Sequence, residues 1–314
     1  MAEGGSFLSP SRGQAMPIAA TIYYRGLRTL GVTAFSRRLQ NAGLILCYHN
    51  VVSREEDRVG DPGLHVPRGQ FERQVRWLAS RYDVISLREF VARLAAGAAL
   101  RSAAVITFDD GYAGVFEHAV PFLDSLGIPA TIFVVAEAPG RSTGFWWDQP
   151  EIVETLTPAQ YDRWLNHLHG AAAAILSEIR SVVSLPATHR AADWSTIRAH
   201  VGGGIDIGVH SATHRSLSTL TDADIQYEVV ASRSIVHQAT GVWPEFFAYP
   251  YGLCDRRVRE VVRKAGYRAA LSVGGDLNNA RADWWGLRRV NVPAGISDAA
   301  FEAWTAGFLP RGSH

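Results

Sequence analysis

Short apolar runs recur along the chain from residue 44 onward, each bounded by polar or glycine-containing sequence. Leu44–Tyr48, Ala103–Phe108, Ala130–Val135, Ile205–Val209, Phe246–Tyr249, Ala269–Val273 and Leu287–Val292 read as buried parallel strands, and Asp83–Ser86 as a further short one. Between them the apolar spacing changes to that of a helix. Phe71, Val75 and Leu78 recur at helical intervals, as do Phe90, Val91 and Leu94, and then Ala119, Phe122, Leu123 and Leu126. Ser86 with Glu89 three residues on forms a capping-box signature, and Thr221 with Asp224 opens a helix over Ile225–Thr240 in a related way. Alternation of this kind predicts an α/β fold: a distorted (β/α)7-type barrel with helices outside.

Two stretches break the alternation. Thr143 to Gly204 is too long for a plain crossover and carries helical patterns over Ala159–Leu168 and Ala171–Val183. It is expected to be an insertion over the mouth of the barrel. Residues 1–40 form an N-terminal extension, of which 1–16 are rich in Gly, Ser and Pro and read as loosely attached. Residues 17–40 mix Ile18, Tyr23, Tyr24, Leu27 and Leu30 with Arg25, Arg28, Arg37 and Arg38. The favoured expectation is a helix packed on the barrel exterior, the other a basic amphipathic helix in peripheral contact with a membrane. The barrel domain proper spans 41–308, with its insertion at about 143–204. The tail Leu309–His314 resembles a vector-derived protease-site scar.

Composition narrows the chemistry. A chain of 314 residues, 47% hydrophobic, suffices for one large core. A net charge of +1 argues against a nucleic-acid partner. Cys47 and Cys254 are far apart, so no cysteine-built zinc site is expected. Lys264, the only lysine, lies in a helical run, which disfavours Schiff-base chemistry. No run of about 18 apolar residues exists to span a membrane. No basic-then-apolar leader is seen, so the expected location is cytoplasmic.

Four polar signals fall at predicted strand ends, and in a parallel barrel those ends share one face. Asp109 and Asp110 follow the run AAVITF; adjacent buried carboxylates repel unless a cation sits between them, and a helix cap needs only one. His210 and His214 follow IDIGV at a spacing that lets both face one ion. Asp110, His210 and His214 together make a two-histidine, one-carboxylate site with room left for water and substrate. One divalent ion is expected there, zinc by default, with nickel or cobalt able to fill a similar site. Tyr249-Pro250-Tyr251-Gly252 is a rigid turn able to aim a backbone N–H at a developing oxyanion. His49 ends the first strand, where catalysis and a plain structural role are evenly matched.

These motifs together resemble the polysaccharide deacetylases of carbohydrate esterase family 4, over roughly residues 44–292. The resemblance implies removal of an N-acetyl group from an amino sugar. It implies Asp109 as catalytic base, Asp110, His210 and His214 as metal ligands, and the Tyr251 N–H as part of the oxyanion hole. Two departures stand out. Ala248 occupies the usual arginine position before the proline, and Leu271-Ser272-Val273 lacks the usual late histidine. The branch resembling poly-N-acetylglucosamine deacetylases carries a Tyr-His strand at its start, which makes His49 the candidate proton donor. Arg288 or Arg289 is the candidate replacement for the arginine. Trp147, Asp148, Tyr249, Pro250 and Arg289 are expected on the substrate side, although Trp147 and its neighbours suit core packing equally. Two other readings keep the barrel: a deacylase or deformylase of a nucleotide- or lipid-linked amino sugar, and a non-catalytic sugar-binding protein.

Overall fold

The computed structural model describes residues 18–54 and 57–310. The expectations for 1–16 and for residues 311–314 of the tail lie outside them. The chain opens with two helices, α1 (Ile18–Thr29) and α2 (Val32–Leu39). Three strands follow, β1 (Leu44–Tyr48), β2 (Asn50–Val52) and β3 (His65–Pro67), then α3 (Arg68–Ala79), β4 (Asp83–Val84), α4 (Leu87–Ala95), β5 (Ala103–Phe108), α5 (Val120–Ser125) and β6 (Ala130–Val134). The stretch after β6 holds four short helices: α6 (Pro150–Thr155), α7 (Pro158–Asn166), α8 (Ala172–Leu176) and α9 (Trp194–Ala199). The last part runs β7 (Ile205–Val209), α10 (Asp222–Gln226), α11 (Ser232–Thr240), β8 (Phe246–Ala248), α12 (Arg256–Lys264), β9 (Ala269–Leu271), β10 (Val290–Asn291) and α13 (Asp298–Thr305).

The main sheet is parallel in the order β10-β1-β5-β6-β7-β8-β9, with β4 alongside β5. Its two ends meet. Leu271 in β9 bridges Leu287 in parallel, and the segment after Leu287 becomes β10, which pairs with β1. The result is a distorted (β/α)7 barrel. β1, β5 and β6 are buried along their whole length, so they read as unbroken apolar runs in the sequence. Helix starts follow the expected caps: Ser86 Oγ accepts the Glu89 N–H at 3.1 Å, and Thr221 Oγ1 accepts the Asp224 N–H at 3.2 Å.

The structure differs from the sequence reading in four places. β2 and β3 form a separate parallel pair of three residues each, too short to register as a periodic pattern. The helix expected over Ala171–Val183 is ordered as helix only over Ala172–Leu176. The helix expected over Ile225–Thr240 is interrupted by a wide π-turn at Tyr227–Ala231 between α10 and α11. The last strand is also shorter than expected, reduced to Val290–Asn291.

Candidate metal centre and active site

The strand ends deliver the polar motifs to one place. β5 ends at Phe108, and the chain turns at once through Asp109 and Asp110, the latter in left-handed backbone at φ 69°. β7 ends at Val209 and is followed by His210, with Ser211 and His214 also left-handed at φ 63° and 62°. Tyr251, after β8, has φ 57°. Such backbone is costly for side-chain-bearing residues, and four of the six described cases sit at this face. After Tyr251 a glycine is required: a Cβ on Gly252 would lie 2.9 Å from the Val273 backbone nitrogen.

Asp110, His210 and His214 converge. His210 Nε2 lies 3.6 Å from Asp110 Oδ1, His214 Nε2 lies 3.5 Å from the same oxygen, and the two Nε2 atoms are 3.2 Å apart. Ligands about 2.0–2.1 Å from one tetrahedral ion stand about 3.4 Å from each other, so this triangle suits a single metal. Two further facts agree. Asp110 Oδ1 is buried and receives no hydrogen bond among the described residues. His210 Nδ1 donates to the Ala248 carbonyl at 2.8 Å, which leaves its Nε2 lone pair facing the site. Burial, then the Asp109 charge, pushes the Asp110 carboxyl well above its ordinary range. Burial also lowers both histidines, favouring the neutral, ligating imidazole. A divalent cation answers all of these at once.

Asp109 lies beside the triangle, with its Oδ2 3.7 Å from His210 Nε2. Both its oxygens accept from Arg289, at 2.6 and 2.7 Å. Arg289 is fully buried, donates also to the Ser272 carbonyl at 3.1 Å, and stands over the Phe133 ring. Burial would raise the Asp109 pKa, but the Arg289 charge and hydrogen bonds, with His210 behind them, hold the carboxyl below the usual range. Of the two arginines open from the sequence, Arg289 therefore meets Asp109, while Arg288 donates to the Gly274 carbonyl. His49 is buried at the edge of the same pocket, and burial lowers its pKa to about 4 against an opposing contribution from Asp109. Cys47 is fully buried with its thiol pushed well up, an inert neighbour.

Other expected residues take different places. Trp147 lines the pocket and leans on the His214 ring at 4.5 Å, while the Tyr251 ring meets the same imidazole edge-on at 4.6 Å. Tyr249 lines the pocket too, and its hydroxyl donates to the Trp285 carbonyl at 2.9 Å. Asp148, Pro250 and Arg289 are buried behind the pocket wall and do not line it. Asp148 is fully committed: its Oδ1 receives His65 Nε2 at 2.9 Å and the Asp61 N–H at 3.0 Å, and its Oδ2 receives the Tyr112 hydroxyl at 2.6 Å. Tyr112 in turn accepts from Trp147 Nε1 at 2.8 Å. Trp147, in the stretch between β6 and β7, is thus fixed through a buried chain that ends on β3.

Two supporting residues escaped the sequence reading. Glu228, buried in the π-turn, accepts the N–H groups of Ala212 and Thr213 at 3.0 and 2.9 Å and the Thr213 hydroxyl. It clamps the loop that carries both histidines. His65 was hidden because its strand has three residues. An acidic residue amid an apolar helical pattern is the signal that would have found Glu228.

Comparison with known proteins identifies the family and the fold. A family model described as polysaccharide deacetylase matches residues 97–270, more than half the chain. A Bacillus subtilis (strain 168) protein, YxkH, whose name assigns it provisionally as a polysaccharide deacetylase, is 26% identical over 266 residues, covering 83% of this chain and 75% of the relative. A Staphylococcus aureus poly-beta-1,6-N-acetyl-D-glucosamine N-deacetylase is 24% identical over 239 residues, covering 76% of this chain and 69% of its own. Among solved structures, IcaB from Ammonifex degensii superposes with a TM-score of 0.60 at 19% identity, over 85% of this chain and 98% of that one.

Proposed function

Because this chain belongs to the polysaccharide deacetylase family, we propose that it is a metal-dependent hydrolase removing the N-acetyl group of an amino sugar in an oligosaccharide, polysaccharide or glycoconjugate. The observation that carries the reading is the Asp110–His210–His214 triangle with a separate carboxylate, Asp109, at its side.

Asp110, His210 and His214 would hold one divalent ion. Such an ion supplies Lewis-acid polarisation of the amide and a water of lowered pKa. Asp109 is the proposed base that takes the proton from the attacking water. Its bidentate partner Arg289 keeps it ionised and fixes its orientation. The Tyr251 N–H, set by the left-handed turn, is the proposed donor to the developing oxyanion. His49 is the proposed proton donor to the departing amine. A histidine held at about 4 is neutral at pH 7, so it must first gain a proton. The Asp109 carboxylate is the neighbour that favours that charge. Trp147, braced by Tyr112, offers an aromatic wall against which a sugar ring packs.

Acetate release from N-acetylglucosamine oligomers, assayed beside small N-acyl sugar conjugates, tests the reading. Asp109→Asn should keep its metal and lose about 10²–10⁴ in rate, the usual worth of a general base. A metal-loaded wild type that releases no acetate from any of these substrates would overturn it.

A further inference from the structure

We propose that the outer face of α1 and α2 docks on an anionic lipid surface. The inference stands apart from the catalytic reading and rests on a different part of the molecule.

Each helix has one face pinned to the barrel. Tyr24 of α1 is buried, with Ala20 and Leu27 packed against the core beside it. Arg28 Nε reaches Glu302 of α13 at 3.3 Å. α2 is tied down by Ser36 Oγ, which donates to the Ala306 carbonyl at 3.2 Å, and Arg37 lies over the Trp77 ring at 5.2 Å. The opposite face is apolar and open. Ile22, Tyr23, Leu30, Phe35 and Leu39 are 66%, 54%, 80%, 65% and 64% exposed. Phe35 and Leu39 stand one turn apart on α2, and Ile22 and Tyr23 are neighbours on α1 with Leu30 just past its end, so the exposed apolar side chains cluster rather than scatter. Isolated exposed apolar residues need no explanation; five within eighteen residues do.

Charge identifies the occupant. Between residues 18 and 40 there are four arginines and no Asp or Glu, in a chain whose net charge is only +1. Arg25 and Arg38 are exposed alongside the apolar cluster. Aliphatic and aromatic side chains flanked by arginine, without acid, form the signature of a helix lying in a membrane interface. Anionic headgroups attract such a face, whereas a second copy docked by the same surface would set arginines against like charge. Among the described residues no helix is long and apolar enough to cross a membrane, so the helices would lie on the surface.

Co-sedimentation of the full chain with phosphatidylglycerol–phosphatidylcholine vesicles, against pure phosphatidylcholine vesicles, tests the proposal. Binding should favour the anionic vesicles and weaken at high salt. Phe35→Ser with Leu39→Ser should reduce it by about tenfold or more, and Arg25→Gln or Arg38→Gln by about fivefold each. Leu30→Ser provides a second apolar variant at the most exposed position, should the double variant misfold. None of these should alter acetate release from a soluble oligomer. The proposal is overturned if the wild type binds neither vesicle, or binds both equally without salt dependence. It is equally overturned if folded apolar variants bind as well as wild type, or if they abolish self-association in a protein that ignores vesicles.

Discussion

Arg289→Met is the substitution whose consequence can be worked out most fully. It removes the sole cation bonded to the buried Asp109 carboxylate among the described residues. At an effective dielectric near 20, unit charges about 4 Å apart attract by about 4 kcal/mol. Removing one partner of a buried pair generally costs about 3–5 kcal/mol, because the other is left uncompensated. The Ser272 carbonyl loses a donor as well, while methionine refills most of the apolar stem volume. We therefore expect a loss of about 4 kcal/mol in urea unfolding with an unchanged m-value. Asp109→Asn in the Arg289→Met background should recover much of it, giving a coupling energy of about 3 kcal/mol. Arg289→Lys, which keeps charge but not the fork, should fall between the two. A loss below about 1 kcal/mol for Arg289→Met, or strictly additive effects, would refute the idea that this pair is a coupled buried unit.

Further predictions address the supports around the site. Tyr112→Phe removes the acceptor of Trp147 Nε1 and a donor to Asp148, and should cost about 1–3 kcal/mol while leaving metal content unchanged; equilibrium unfolding and metal analysis read both. Glu228→Ala frees the loop that carries His210 and His214 and should weaken metal affinity by about 10–100-fold in competition with a chelator. His189 Nε2 accepts the Val59 N–H, and burial lowers its pKa from 6.5 to about 4. The folded form therefore binds fewer protons than the unfolded chain between those values, so His189 makes stability fall as pH drops through that window. His189→Gln should flatten that part of the urea-midpoint profile relative to wild type.

The barrel was legible because its strands are buried on both faces and read as plain apolar runs. The convergence of Asp110, His210 and His214 was legible because parallel topology carries strand ends to one face, whatever their distance in sequence. The parts that stayed hidden have physical causes. His65 sits on a strand of three residues, which shows no period. Glu228 lies in a π-turn, where the wider spacing carries an acid inward that a regular helix would leave outside. Arg289 precedes a two-residue strand, so neither it nor Arg288 could be assigned to the core from alternation. Asp148 lies in the long stretch between β6 and β7 and looked available to a sugar; its burial depends on Tyr112 and His65, partners far away in the chain.

The most direct test of the metal centre is diffraction at the zinc absorption edge from crystals of the zinc-loaded protein. The account predicts one anomalous peak about 2.0–2.2 Å from an Asp110 carboxylate oxygen and from Nε2 of His210 and His214. A peak on the Cys47, His49 and Asp109 cluster instead, or none at the triangle, would contradict it.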